Sequence, residues 1–334
     1  VSVFTYEGDQ RAADANSKSA LIRQDNYTAN SINSIAVTNR ESTTFFDIHL
    51  GKGSEIADYS LNYRFGSTEI ESTSYNFYGV NQVRASTATA DDAMTVSVTY
   101  QGEKSGSGVI RPDSDTVNRL SMTFFTGDKG YEISDYSTSY WLDTQAVRST
   151  SISFYGPNAK RAGDASVSTE DALTASVSYK DQMSTAGILN PDANFTDRLS
   201  KTLFTGDKGS EKQDRTFNYY FNGEDVKSTT VYQYAGDTLT KSITYRDEVL
   251  RATDEAAAVI RSVTEYQGHK GEEKAARTFS YDYYGRSILY TTTYEYLRGV
   301  LVRSILERRV DPADGSAIED QYDADGNLVS RGSA

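Results

Sequence analysis

Two histidines are the only candidates for an imidazole general base, and their surroundings do not predict catalysis. They are His49 and His269 in a chain of 334 residues. A Ser-His-Asp arrangement needs a histidine as its base. His269, however, occupies the position held by Asp128 and Asp207 in two other copies of a repeated segment, which indicates a substitution in a turn. We therefore expect no catalytic residue and no enzymatic activity.

Adjacent carboxylates could suggest acid–base chemistry at three places. Glycosidases need two carboxylates that converge across a cleft, whereas adjacent side chains on a strand point to opposite faces. We interpret the three pairs as solvated charges: Asp91-Asp92, Glu170-Asp171 and Glu272-Glu273.

Three oxygen-bearing side chains at alternate positions form a candidate Ca²⁺ site: Asp323, Asp325 and Asn327. Calcium prefers carboxylate and amide oxygens, and its loops usually end with a bidentate acid at the twelfth position. Counted from Asp323, that position is Ala334. The sequence predicts no cofactor, and Ca²⁺ at these residues is the one alternative left open.

Two Asn-x-Thr sequons are candidate N-glycosylation sites, at Asn26 and Asn194. The chain contains no cysteine, which excludes disulfides, thiolate catalysis and Cys-ligated zinc.

The charge and hydropathy of the chain exclude two classes of partner. The formal net charge is −13, and an acidic surface repels both nucleic acid and anionic lipid. No apolar run approaches the length of a membrane span, so we expect no membrane insertion. The chain is nevertheless rich in aromatic residues, with 25 Tyr and 13 Phe, which disfavours disorder.

The sequence is organised around one repeated segment. Residues 125–130, Phe-Thr-Gly-Asp-Lys-Gly, recur letter for letter at 204–209, in degraded form at 266–271 and more distantly at 46–53. The sequence after each copy alternates as a strand does, so this is not a phosphate loop, which requires a following helix. We predict a hairpin turn in which glycine supplies a positive φ. The turn residues are Gly127, Asp128, Lys129 and Gly130, with Gly206, Asp207, Lys208 and Gly209.

The copies divide the chain into a tandem array. We predict a partial repeat at 1–43, complete units at 44–122 and 123–201, a shortened unit at 202–263, and a fourth unit with a terminal segment at 264–334. Because the chain begins inside a repeat, we expect the array to continue before Val1. The shortened unit lacks most of the stretch that matches 157–172, which we interpret as a loop or small hairpin outside the repeated sheet.

Alternating aromatic residues predict strands within each unit. The alternating faces are Tyr59, Leu61, Tyr63 and Phe65; Phe217, Tyr219 and Phe221; and Phe279, Tyr281 and Tyr283. We predict an all-β fold in which tandem repeats of antiparallel strands are stacked into an elongated array. The tyrosine faces would form a thin core, or alternatively would stack on sugar rings.

The last part of the chain resembles a known family. Residues 322–329, Tyr-Asp-Ala-Asp-Gly-Asn-Leu-Val, are similar to the YD repeat of Rhs-like bacterial surface and secreted proteins, and 281–285, Tyr-Asp-Tyr-Tyr-Gly, keep the same spacing of Tyr, Asp and Gly. The resemblance covers mainly residues 278–330. It implies antiparallel strands wound into a continuous sheet on a large secreted or surface-delivered protein.

These observations favour a non-catalytic extracellular or cell-surface protein, a subunit or segment of a fibre, sheath or surface appendage. Its expected partner is another copy of itself, joined head to tail, or further units of a longer chain. One alternative is a surface adhesin that binds glycans through exposed tyrosines. The other is an Rhs-like shell segment of a secreted polymorphic toxin.

Overall fold

The computed structural model describes residues 1–29, 31–184, 187–188, 197–268, 270–271, 273–297, 300–308, 318–322 and 328–330. The fold is all-β and its strand pairs are antiparallel, which confirms the predicted fold class. The chain divides into two compact units. Unit 1 comprises Val1–Leu173 and Ser178–Pro191, and unit 2 comprises Thr174–Val177 and Asp192–Ala334.

Unit 1 is built from successive antiparallel strands. Strands β1 to β5, β7 and β8 to β10 pair in chain order, while the two-residue strands β6 and β11 pair with the ends of β5 and β10. Their bounds are β1 Ser2–Tyr6, β2 Leu21–Tyr27, β3 Arg40–Asp47, β4 Ile56–Tyr63, β5 Ile70–Tyr78, β6 Val83–Arg84, β7 Met94–Gln101, β8 Arg119–Thr126, β9 Ile133–Tyr140, β10 Val147–Tyr155 and β11 Lys160–Arg161. Strand β12, Leu173–Lys180, has residues in both units.

Unit 2 is a meander in which each strand pairs with the next. The bounds are β13 Arg198–Thr205, β14 Lys212–Tyr219, β15 Val226–Ala235, β16 Thr238–Tyr245, β17 Ile260–Gln267, β18 Lys274–Tyr281, β19 Ile288–Leu297, β20 Val300–Arg308, β21 Ile318–Tyr322 and β22 Leu328–Ser330. Single 3₁₀ turns occur at Ile32–Ser34, Val37–Asn39, Ala85–Thr87, Gly106–Gly108 and Ala252–Asp254.

The connections of each unit leave the strands at two opposite ends, because alternate turns of an antiparallel meander return to the same end. In each unit, one end carries the repeated segment: the β3–β4 and β8–β9 connections in unit 1, and the β13–β14 and β17–β18 connections in unit 2. We call it the clasp end. The other end carries the β4–β5, β9–β10, β14–β15, β16–β17 and β18–β19 connections. We call it the aromatic end.

Each unit closes its core with one of its own loops. In unit 1, the buried residues Tyr75, Phe77 and Tyr100 form a cluster with Val109, which is fully buried and belongs to the loop 102–118. The Tyr75 hydroxyl donates to Lys104 O at 2.6 Å. In unit 2, Val249 of the loop 246–259 is equally buried and packs on a cluster that contains Val231 and Tyr245. Tyrosine therefore contributes to the core, and a loop covers it.

The sequence-based prediction extended three strands beyond the residues at which they end in the structure. Strands β4, β14 and β18 end at Tyr63, Tyr219 and Tyr281, so that Phe65, Phe221 and Tyr283 lie in the turns that follow. These aromatic residues continue the alternating pattern in sequence, but the chain has already reversed. Their exposed fractions are 50%, 96% and 75%.

The stretch 157–172 is a small hairpin, as its absence from the shortened unit suggested. Strand β11 pairs Lys160 with Tyr155 and Arg161 with Phe154 at the end of β10. The hairpin also contacts the sheet through Arg161, described below.

Candidate functional site

A glutamate two residues after the closing glycine binds backbone N–H groups. The Glu132 carboxylate accepts hydrogen bonds from Gly130 N and from Met94 N, the first residue of β7, each at 2.9 Å. The other copies use the following donors: Gly53 N and Leu21 N to Glu55, Gly209 N to Glu211, and Gly271 N and Leu239 N to Glu273. We call the Lys-Gly-x-Glu segments 52–55, 129–132, 208–211 and 270–273 the clasps.

In two clasps, the lysine binds backbone in the connection that leads into the strand held by the clasp glutamate. Lys52 Nζ donates to Ser17 O at 2.7 Å, and Lys129 Nζ donates to Ala90 O at 2.6 Å. Both carbonyls belong to connections that precede the strand whose first N–H the glutamate accepts. The clasps at 52–55 and 129–132 thus tie one connection to the next, through a cation and an anion that both bind backbone.

In unit 2 an aspartate replaces the backbone carbonyl. Lys270 Nζ donates to Asp237 Oδ2 at 2.9 Å, and Lys212 Nζ lies 2.5 Å from Asp237 Oδ1. Asp237 sits in the tight β15–β16 turn. The hydrogen bonds from Lys212 and Lys270, with their charges, lower the pKa of Asp237 to about 2.

Two of the clasp glutamates, Glu55 and Glu273, have a lowered pKa. Burial opposes ionisation of Glu55, but the N–H donors of Leu21, Glu55 itself and Gly53 outweigh it, so the pKa of Glu55 lies below its ordinary value of 4.5. The backbone N–H groups of Glu273 and Leu239 likewise lower the pKa of Glu273. A carboxylate that accepts several N–H groups is stabilised as an anion.

The glycines of the repeated segment lie in left-handed conformations. Gly127 has a φ of 119°, and a Cβ there would lie 2.7 Å from Tyr131 O. Gly206 repeats this with a φ of 114° and Ser210 O at 2.7 Å. Gly130 and Gly209 have φ values of 82° and 78° with open space around them. Asp128, Lys129, Asp207 and Lys208 occupy the bends and turns between these glycines.

A buried threonine holds each core-covering loop. Thr73, Thr150 and Thr229 are fully buried on the strands β5, β10 and β15. Their hydroxyls donate to Gly102 O, Asp181 O and Asp247 O at 2.8, 3.0 and 2.8 Å, and accept from Lys104 N, Met183 N and Val249 N. One hydroxyl therefore satisfies both a donor and an acceptor of the loop backbone.

An arginine binds the same loop farther along. In unit 1, Arg84 forms a bidentate ion pair with Asp58 and donates from Nη1 to Val109 O at 2.8 Å. Arg161 repeats the arrangement with Asp135 and Ile188 O. Both arginines come from the small hairpins after β5 and β10.

The shortened repeat keeps the guanidinium without the hairpin. Arg215 Nη1 donates to Val249 O at 3.0 Å, and its Nε lies 2.7 Å from Asp214 Oδ2. Arg215 pairs across to Leu203, just as Tyr136 pairs to Phe124 in the preceding repeat. In the shortened repeat the arginine therefore comes from strand β14 and not from a hairpin. It still donates to a carbonyl oxygen of the loop that covers the core.

The aromatic end of unit 2 contains a cleft of about 570 Å³. Its walls are the β14–β15 turn, the β16–β17 connection and the β18–β19 turn, and its lining residues are Tyr220, Lys227, Arg246, Asp247, Val259, Arg261, Tyr283, Tyr284 and Arg286. The ring centroids of Tyr283 and Tyr284 are 5.5 Å apart and nearly perpendicular.

The predicted glycosylation and metal residues are distributed as follows. Asn26 lies in β2, where its side chain hydrogen-bonds Ser2, Gln24 and Ser42. The remaining predicted residues lie outside the described part of the chain: Asn194, Asp323, Asp325, Asn327 and His269. Among the described residues, no group of three His, Cys, Asp or Glu side chains could hold a metal ion.

The remaining candidates for acid–base chemistry make local contacts. His49 Nδ1 lies 2.5 Å from Oδ1 of Asp47, the last residue of β3. Asp92 and Asp171 accept hydrogen bonds from Thr89 N and Ser168 N in their own turns. Glu273, interpreted as a solvated charge, is a clasp carboxylate instead. The clasps, the buried threonines and the loop-binding arginines therefore bind the protein's own backbone and position its loops.

The sequence analysis missed the clasp glutamates, the buried threonines and the loop-binding arginines. A signal was present for the first group, because a glutamate follows every closing glycine by two residues. The arginines carried no such signal, since Arg215 is not at the repeat position of Arg84 and Arg161.

The fold and the clasps define a class of repetitive antiparallel β protein. No family model and no curated protein matches the chain. Solved structures with low similarity include the TcdB2-TccC3-Cdc42 complex, at 10% identity and a TM-score of 0.21 over 98% of this chain and 21% of that one. The Photorhabdus luminescens Tc holotoxin pore gives 10% identity and a TM-score of 0.18, over 94% and 16%. The chain spans 21% and 16% of the lengths of these two chains. In the described part of the chain, no helix is long and apolar enough to cross a membrane.

Proposed function

We propose that the chain is a non-catalytic structural repeat protein that acts outside the cell, as a subunit or segment of a fibre, sheath or surface appendage. The observation that supports it most directly is the clasp. The clasp glutamates and the lysines Lys52 and Lys129 bind the protein's own backbone, Lys270 binds Asp237, and none of these contacts resembles a catalytic arrangement.

The proposed partner is a second copy of the chain, or a further unit, that adds strands to the sheet. Strand β1 pairs with β2 and with no other strand in the described part of the chain. Its opposite side therefore offers backbone N–H and C=O groups for pairing. Head-to-tail addition of this kind propagates unless rotation closes a ring.

Sedimentation velocity of the purified chain at micromolar concentration, in low and in high salt, tests this proposal. We expect head-to-tail assemblies that persist in high salt, because strand pairing depends on backbone hydrogen bonds and not on surface charge. A monomer in both salts, with no longer polypeptide detected by mass spectrometry in the native source, would contradict it.

A second candidate function is glycan binding at the cell surface, and the aromatic end favours it. Exposed aromatic residues occur in four of its turns, as Phe65, Trp141, Tyr220 and Tyr283. Contiguous exposed apolar surface often marks a ligand-binding groove or an interaction site.

A further inference from the structure

We propose that the cleft at the aromatic end of unit 2 binds a carboxylate-bearing saccharide. This inference specifies the ligand of the second candidate function and does not depend on assembly. It rests on the charge of the cleft and on its exposed rings.

The charge of the cleft is opposite to that of the chain. Four cations line it, Lys227, Arg246, Arg261 and Arg286, against the single carboxylate of Asp247, whereas the whole chain carries −13. The Asp247 carboxylate is already engaged, since its Oδ2 accepts from Val259 N at 2.7 Å. The local field therefore attracts an anion in spite of the overall charge.

Two of the acidic residues next to the cleft in sequence, Asp225 and Asp282, face their own turns, while Glu224 and Glu248 are exposed. Asp225 accepts from Asn222 Nδ2 at 2.7 Å, and Asp282 accepts from Arg286 N at 2.8 Å. These contacts use the carboxylates to close the β14–β15 and β18–β19 turns. The guanidinium of Arg286 is exposed and lies 5.9 Å from the Tyr284 ring centroid.

The rings supply flat apolar surface beside the cations. Tyr220, Tyr283 and Tyr284 are 54%, 75% and 69% exposed. Tyrosine offers an apolar face and a hydroxyl that hydrogen-bonds, which suits a ligand with both a ring face and polar edges. Sugars have these properties, and arginine recognises a carboxylate through paired N–H donors.

Arg246 brings a positive charge to this site. Its Nε is buried and has no hydrogen-bond partner in the described part of the chain. Its guanidinium carbon lies 5.7 Å from the Tyr283 ring centroid. The Nε atoms of Arg40 and Arg119 are buried and unpaired in the same way among the described residues, so Arg246 contributes to the cleft its charge beside the Tyr283 ring and not an open donor.

The cleft wall depends on one close approach. A Cβ on Gly285, which has a φ of 69°, would lie 2.8 Å from Ile260 N and 3.0 Å from Ile260 O. The β18–β19 turn thus sits directly against the start of β17, and this contact places Tyr283 and Tyr284 opposite Arg246.

Isothermal titration calorimetry of the whole chain with a galacturonic acid tetramer tests the proposal. The comparison ligands are the neutral galactose tetramer, a short polyglutamate and a single-stranded oligonucleotide. We expect binding to the acidic tetramer that weakens at high salt, and at least tenfold weaker binding to each of the other three.

Two variants and a matched control locate the site. Arg286→Gln and Tyr283→Ser should each weaken binding about tenfold or more, the scale of one charge-assisted hydrogen bond or ring contact. Arg64→Gln removes an exposed arginine from a turn of the aromatic end in unit 1, where Arg64 pairs with Glu69 at 3.6 Å, and should leave binding unchanged. Circular dichroism melts verify folding of each variant.

The outcomes separate the two ideas. Equal binding of the neutral tetramer would contradict the proposal that the ligand carries a carboxylate, but it would still support glycan binding. If neither tetramer binds, the carboxylate-bearing ligand and the glycan-binding function are both contradicted. Equal binding of polyglutamate or the oligonucleotide would show an anion site without sugar selectivity and overturn this inference. An equal loss with Arg64→Gln would place the site elsewhere.

Discussion

Arg215 donates from Nη1 to the carbonyl oxygen of Val249 at 3.0 Å, and so holds the loop that closes the core of unit 2. Arg84 and Arg161 make the corresponding bond in unit 1 from a different element, the small hairpin. A guanidinium on the loop carbonyl is therefore retained although its position in the chain is not.

Because the arginine can come from the hairpin or from the strand, an arginine on the strand should compensate for loss of the hairpin. Deleting residues 157–169 removes Arg161 and should destabilise unit 1 by about 1–3 kcal/mol, since Asp135 and Ile188 O lose a charged donor. Adding Tyr136→Arg to the deletion should restore part of that loss, because position 136 corresponds to Arg215. Urea denaturation of the two variants measures the difference. If Tyr136→Arg makes the deletion variant less stable still, the two arginines are not equivalent.

The clasp carboxylate should contribute measurably to stability. Glu132→Ala leaves Gly130 N and Met94 N without their acceptor, and we expect a loss of about 1–3 kcal/mol in the free energy of unfolding. Glu71→Ala, at an exposed position of β5, serves as the control and should change it by less than about 0.5 kcal/mol. Equal effects of the two substitutions would show that the clasp contributes nothing.

The buried hydroxyl of Thr73 should contribute more to the free energy of unfolding than the methyl group of the same side chain. Thr73→Val keeps the shape but leaves Gly102 O and Lys104 N unsatisfied, and should cost about 1–3 kcal/mol. Thr73→Ser keeps the hydroxyl and should cost less. Thermal unfolding of both proteins ranks them, and the reverse order would refute the role of the hydroxyl.

The two glycines of one turn should differ in their tolerance of a side chain. Gly130→Ala meets open space and should cost about 1–2 kcal/mol for its left-handed backbone. Gly127→Ala adds a clash with Tyr131 O and should cost more. Denaturant midpoints of the two variants give the order; a cheaper Gly127→Ala would mean that the turn relaxes around the new Cβ.

The ion pairs of Asp237 should make stability depend on pH in a known direction. The folded pKa is about 2, below the ordinary 3.8. Its contribution is therefore complete above the ordinary value and is lost as the pH falls from about 4 towards 2. Asp237→Asn should be less stable than the wild type at pH 7, and the gap should narrow below pH 4. Asp207→Asn, at an exposed turn position, should show no such gap, and a gap for Asp237→Asn that is constant with pH would contradict the assignment.

Much of the fold could be predicted from the sequence because alternation and repetition are local signals. The strand class, the glycine turns and the hairpin at 157–172 follow from them. The loop that covers the core could not be predicted, because Val109 and Val249 lie in polar stretches without periodicity. The cleft was hidden for the opposite reason: its lining residue Tyr283 fits the strand period, and only the position of the chain reversal shows that this side chain is exposed.

The clasps have a consequence for how the protein is made. The bonds that connect a clasp to an earlier connection or strand join residues only 33 to 39 positions apart, so each can close once that length of chain has left the ribosome exit tunnel. We therefore expect folding to advance from the N-terminus during translation, one clasp at a time, as local contacts form fastest. Force measurements on stalled nascent chains of increasing length should show a separate folding signal after each clasp, and a single late signal would contradict this order.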